Sequence, residues 1–162
     1  MAELAATVAA LTRRVQALED ELAIHRLIVR YGLAVDTGDA ERTASLFTPE
    51  AVYDADVRCM NGRGEVADMV RSARHQRMVG HCAHQIGPAV VEIEGNRAVA
   101  LGYSRVYLEE QGAIGIYRVS LNRWELVKQD GAWLITRRTT RVLGHPEALA
   151  VLRAAADHAA SA

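Results

Sequence analysis

The chain has 162 residues, half of them hydrophobic, enough for one well-buried core and short for two domains. Nineteen basic residues against twenty acidic ones leave a formal charge of -1, which argues against partners held mainly by charge, such as nucleic acid or an anionic membrane surface. The longest uncharged windows are broken by Arg, Glu or Asp, and "MAELAATVAALTRRV" has no basic region ahead of an apolar core, so the expectation is a soluble, cytoplasmic protein.

Val8, Leu11, Val15, Leu18 and Leu22 open the chain at alternating steps of three and four, a narrow heptad-like seam on a helix. The seam is too short for a coiled coil on this count, and a subunit contact or packing against its own domain explains it better. Residues 1–19 thus read as a helical extension. The helix continues through "ELAIHRLIVRYGLAVD", where Ile24, Leu27, Ile28, Tyr31 and Val35 recur at helical spacing, and should stop at Gly38. "DAERTASLFTPE" reads as a second helix, with Asp39 as its N-cap and Pro49 just beyond its end. "AVYDADVRC" reads as one short strand, and "NGRGEVADMVRSARHQRMV" as a turn and a third helix.

From residue 84 the chain reads as strands: "AVVEIEG", "RAVALGYSRVYLEE", "IYRVSLNRWELVKQDG" and "AWLITRRTTRVLG", with hairpin signals at "EGNR" and "QDGA". A final Ala-rich helix begins near Pro146, making residues 146–162 a C-terminal helix and tail around a domain spanning residues 20–145. Helices followed by an antiparallel meander indicate an α+β fold, its strongly curved sheet wrapped around the N-terminal helices and leaving a concave pocket.

Several side chains stand out on chemistry alone. His81 and His84 lie three apart, but His25, His75, His145 and His158 are scattered and supply no evident third ligand, so no metal is expected. Cys59 and Cys82 form no Cys-x-x-Cys pair and read as free thiols; Cys82 suits a small buried position better than a nucleophile. Asp36 sits in the last helical turn, where its charge meets the negative end of the helix dipole. Ser120, Asn122 and Trp124 alternate on one strand and share a face, where the two polar side chains either need buried partners or lie in solvent. By the same alternation Arg137 and Arg141 share a face with Trp133 and Ile135, either to hold a carbonyl or acidic group or as exposed terminal-strand arginines.

The segments "RYGLAVDTGDAERTASLFTPEAVY", "HQIG" and "NRWELVKQDGAWLITRR" resemble the nuclear-transport-factor-2-like, or SnoaL-like, superfamily of cone-shaped α+β barrels, in particular the branch that holds scytalone dehydratase and bile acid 7α-dehydratase. The resemblance spans roughly residues 20 to 143. It implies that Asp36, in a "D-x-x-D" setting, orients His84, in an "H-x-I-G" setting, and that the imidazole, whose ordinary pKa of about 6.5 lets it take and return a proton, acts as the base. Tyr31 matches a tyrosine five residues before the aspartate in bile acid 7α-dehydratase; on an ideal helix the two point about 140° apart, so they share a site only if the pocket curls around the helix end. Tyr31 equally continues the apolar stripe. Ser120 and Asn122 correspond to residues that face substrate in scytalone dehydratase.

The departures are as informative. Val35 replaces the tyrosine that precedes the aspartate in scytalone dehydratase, Leu108 or a neighbour replaces its second histidine, and Ala55 stands nearest its second tyrosine, with Tyr53 as a shifted match. The resemblance therefore argues against scytalone itself as substrate. What it implies is a cofactor-independent lyase, a dehydratase acting on a small hydrophobic cyclic hydroxy-carbonyl compound by β-elimination, with Tyr31 or Asn122 polarising the carbonyl and Trp124, Val106 and Leu108 lining the pocket. Double-bond isomerisation or polyketide cyclisation by the same dyad, or a non-catalytic ligand-binding or assembly role, are the alternatives. A homo-oligomer is expected, a trimer before a dimer.

Overall fold

In the computed structural model, which describes residues 1–153, one six-stranded mixed sheet of order β2-β1-β6-β5-β4-β3 curves around the end of a long helix. The elements are α1 (Ala2–Asp36), α2 (Ala40–Ser45), β1 (Phe47–Ala55), β2 (Arg58–Asn61), α3 (Gly62–Arg71), α4 (Ala73–Gln76), β3 (Cys82–Glu94), β4 (Arg97–Glu110), β5 (Ala113–Gln129), β6 (Ala132–Val142) and α5 (Ala148–Arg153). All neighbours are antiparallel except β1 and β6, which run parallel. The sheet stays open, with β2 and β3 at its edges.

The expected elements are mostly present, with informative shifts. Asp39 caps α2 by accepting a hydrogen bond from the Arg42 N–H at 2.9 Å, but the helix ends at Ser45 and Pro49 lies inside β1, at an irregularity between Phe47 and Val52 where the missing proline N–H removes no regular ladder bond. The single strand expected over "AVYDADVRC" is a hairpin, β1 turning into β2. His84 falls within β3 rather than before it, and β5 begins at Ala113 because Gln111 and Gly112, both at positive φ, make a two-residue turn like that of Asp130 and Gly131. The last part of the C-terminal tail, residues 154–162, lies outside the described residues.

The core lies between the concave sheet face and the C-terminal third of α1: Ile24, Leu27, Ile28, Tyr31 and Val35 are all buried against Phe47, Trp124, Leu126 and Ile135. Asp20 anchors the helix at the start of this contact, accepting hydrogen bonds from the Lys128 ammonium at 2.6 Å and the Trp133 indole N–H at 3.0 Å. Before Asp20 the helix leaves the body: Val8, Leu11, Val15 and Leu18 are exposed, so the seam does not pack against its own domain. No described helix is long and apolar enough to cross a membrane.

Candidate active site

Two clusters share the concave face. The first forms where α1 passes closest to β3. A Cβ on Gly32 would stand 2.9 Å from the His84 carbonyl oxygen, so only glycine lets the helix approach this far. One turn later Asp36 reaches the same strand. Its carboxylate accepts a hydrogen bond from the His84 ring at Nδ1 (2.5 Å) and another from the His84 backbone N–H (2.7 Å). The Cys82 thiol donates to the same carboxylate at 3.6 Å. Burial pushes the Asp36 carboxyl up, but the ring and backbone bonds from His84 together outweigh it and hold the group below the usual carboxylate range. An ionised Asp36 accepts only, so Nδ1 carries the ring proton and Nε2 of neutral His84 is the basic nitrogen. The two bonds account for the carboxylate at a helix end that the dipole disfavours.

Asp36, Cys82 and His84 also form a set of three whose ligand atoms lie within 4.8 Å of one another. Burial, then the neighbouring Asp36 charge, pushes the Cys82 thiol up to about 11, so near neutrality it is protonated and donates to Asp36. His81 turns away and bonds Glu109 at 2.8 Å, which separates it from His84.

The second cluster surrounds Arg138. Its guanidinium carbon lies 4.4 Å, 4.7 Å and 4.1 Å from the ring centroids of Tyr31, Tyr53 and Trp124, a three-sided aromatic cage. Arg138 is 4% exposed, donates through Nη2 to the Asn122 side-chain oxygen at 2.9 Å, and has no bonding partner for Nε or Nη1. No carboxylate of the described residues pairs with it. Asn122 is itself fully buried and fully engaged, its Nδ2 donating to Ser104 Oγ at 2.8 Å and to the Ser120 carbonyl at 3.3 Å. Ser120 Oγ accepts from Arg118 Nε at 2.7 Å. Burial raises the Tyr31 hydroxyl far above its ordinary range, against the opposing pull of Arg138, so it stays protonated.

The sequence pattern therefore brings Tyr31, Tyr53, Ser120, Asn122, Trp124 and Val106 to the concave face, with Leu108 half-buried at its end. It misplaces the arginine. Between the pairs Glu125/Arg137 and Leu126/Ile135 the β5–β6 register slips by one residue, so the inward alternation runs Trp133, Ile135, then Arg138 and Thr140. Arg141 falls on the other face, bonded to the Asp54 carboxylate at 3.1 Å and to Glu147 at 3.0 Å, and does not reach the concave face. Asn122, expected to offer a free donor, spends its amide holding Arg138 and its neighbours. No local signal in "ITRRTTRV" marks the bulge.

Two concavities lie apart from the dyad. One of about 740 Å³ is lined by Ile93, Ala98, Leu126 and Thr136 among others, at the far end of β3 and β4 from His84. Another of about 370 Å³ lies beside α5, with Arg141 and Glu147 on its wall.

No curated protein is significantly similar to the chain. Among solved structures, a nuclear-transport-factor-2-like protein with a cystatin-like fold from Novosphingobium aromaticivorans is 35% identical, with a TM-score of 0.84 over 88% of this chain and 94% of that one. A protein of unknown function from Mycobacterium tuberculosis is 25% identical, with a TM-score of 0.73 over 85% of this chain and 87% of that one. A Novosphingobium aromaticivorans protein provisionally named scytalone dehydratase shares the fold at 19% identity, with a TM-score of 0.68 over 78% of this chain and 85% of that one. Residues 16–139 match the family model of the SnoaL-like domain; the chain belongs to that family, within the nuclear-transport-factor-2-like superfamily.

Proposed function

We propose that the protein is a cofactor-independent dehydratase acting on a small hydrophobic cyclic hydroxy-carbonyl compound, with His84 as general base and acid and Asp36 orienting it. The supporting observation is the double hold of Asp36 on His84, at 2.5 Å through the ring and 2.7 Å through the backbone. Nε2 takes the proton α to the carbonyl, and the C–H electrons form the new double bond as the β carbon–oxygen bond breaks. The proton then passes from Nε2 to the departing hydroxide, giving water and restoring neutral His84. Asp36 stabilises the imidazolium between the two transfers. Arg138, with its Nε and Nη1 nitrogen atoms unbonded, replaces Asn122 as the donor that stabilises the enolate oxygen, beside the protonated Tyr31 hydroxyl.

The same dyad serves proton transfer without loss of water, and the product distinguishes double-bond isomerisation from elimination. A second reading is a ligand-binding member of the fold without catalysis, using a concavity apart from His84 such as the one lined by Ile93, Ala98 and Leu126. Turnover of wild type, His84→Ala and Asp36→Asn is measured on a panel of cyclic β-hydroxy ketones and enone precursors, by conjugated-enone absorbance. Loss of turnover in both folded variants supports the dyad. An unchanged rate in His84→Ala sinks it.

A further inference from the structure

The projecting part of α1 carries a surface that the single chain does not use. Residues 1–19 are exposed except Ala10, so about 28 Å of helix stands clear of the body. A helix of that length without tertiary packing is marginal in water. The SnoaL-like match begins only at residue 16, which leaves most of this projection outside the family domain.

Its apolar side chains form a heptad seam longer than the sequence pattern alone indicates. Val8, Val15, Leu22 and Val29 take the a positions, and Leu4, Leu11 and Leu18 the d positions, with His25 at the last d; each of the seven apolar ones is 47% to 66% exposed. The residues that α1 buries in its own core, Ile24, Leu27, Ile28 and Tyr31, fall at c, f and g. The seam therefore points away from the body, leaving room for a second helix.

We propose that α1 forms a parallel, in-register, two-stranded coiled coil with a second copy of this chain. Valine at a with leucine at d favours two strands over three. The flanking charges specify the orientation. In a parallel pair each g residue faces the e residue of the next heptad on the other helix, so Arg14 meets the partner's Glu19 and Glu21 meets the partner's Arg26. Both pairs are of opposite charge, and the two-fold repeats each of them. The exposed apolar stripe of the lone chain is thereby covered.

The test uses the full chain. Analytical ultracentrifugation is run on wild type and on Leu11→Glu/Leu18→Glu; both sites lie outside the core, and far-UV and near-UV circular dichroism confirm that the domain folds. The expected result is two chains in wild type and one in the variant. Glu19→Arg, which sets Arg14 against a like charge, should weaken association about tenfold, and Arg14→Glu/Glu19→Arg should restore it. A Leu4→Cys chain in a Cys59→Ser background should oxidise to a disulfide-linked pair, which an antiparallel arrangement cannot form. A monomeric or three-chain wild type, a mass unaltered by Leu11→Glu/Leu18→Glu, or the absence of the Leu4→Cys cross-link overturns the proposal.

Discussion

Asp36 accepts from both the ring and the main chain of His84, so one carboxylate fixes the tautomer of the imidazole and the strand that carries it. Replacing Asp36 by Asn keeps the shape but removes the acceptor-only character and the charge that stabilises the imidazolium. On a reacting substrate, Asp36→Asn should lower kcat by about 10²- to 10⁴-fold with little change in KM. Steady-state kinetics check this, and an effect confined to KM would assign Asp36 to substrate binding instead.

The same bond links stability to pH. The folded-state pKa of Asp36 lies below its ordinary value, so its stabilising contribution is fully present above the unfolded carboxylate pKa of about 3.9 and disappears as pH falls through the lower folded value. Urea unfolding of wild type and Asp36→Asn should therefore differ most at neutral pH and converge in acid. A gap that widens below pH 4 would contradict the assignment.

Gly32 is the point at which helix and strand nearly touch. A methyl group there meets the His84 carbonyl oxygen at 2.9 Å, and the backbone atom cannot swing aside as a flexible side chain would. Gly32→Ala should cost about 1–3 kcal/mol of stability and loosen the dyad, read as a lower Tm together with a lower kcat. A variant as stable as wild type would show that α1 and β3 can separate freely.

Arg138 is buried among three rings without a carboxylate, and two of its nitrogen atoms are unbonded. Removing the buried charge returns several kcal/mol of desolvation, which the lost cation–π contacts to three rings and the roughly 1–3 kcal/mol for leaving the Asn122 oxygen without its donor largely offset. Arg138→Met should therefore change Tm little while lowering turnover by about 10²- to 10³-fold. Calorimetry and kinetics on one preparation decide it; a strongly lowered Tm with intact activity would make Arg138 a structural residue.

The two thiols should react unequally. Cys59 is exposed, whereas Cys82 is half-buried beside Asp36 and its thiol is pushed up to about 11. Near pH 7.5, iodoacetamide should label Cys59 at least tenfold faster, since the thiolate is the nucleophile, as peptide mass spectrometry can follow. Asp36→Asn should narrow the gap by removing the charge that disfavours the Cys82 thiolate.

Local pattern by itself determined much of this protein. The 3.6-residue recurrence from Ile24 to Val35 marks the packed part of α1, Asp39 marks the start of α2, and the Asp130–Gly131 turn marks the β5–β6 hairpin, because each depends on neighbours a few residues away. The shared inward face of Ser120, Asn122 and Trp124 follows from strand alternation in the same way. The resemblance carried by "RYGLAVD" and "HQIG" singled out Asp36 and His84, 48 residues apart, but only the close passage of α1 over β3 at Gly32 joins them. Arg138 was decided by tertiary structure alone. A single slip in register between β5 and β6 reverses which side of β6 faces inward, and that slip is a property of paired strands that neither strand's own sequence expresses. The fate of the N-terminal seam is of the same kind: its spacing is local, whereas the direction in which it points is set by which face of α1 the sheet has already claimed.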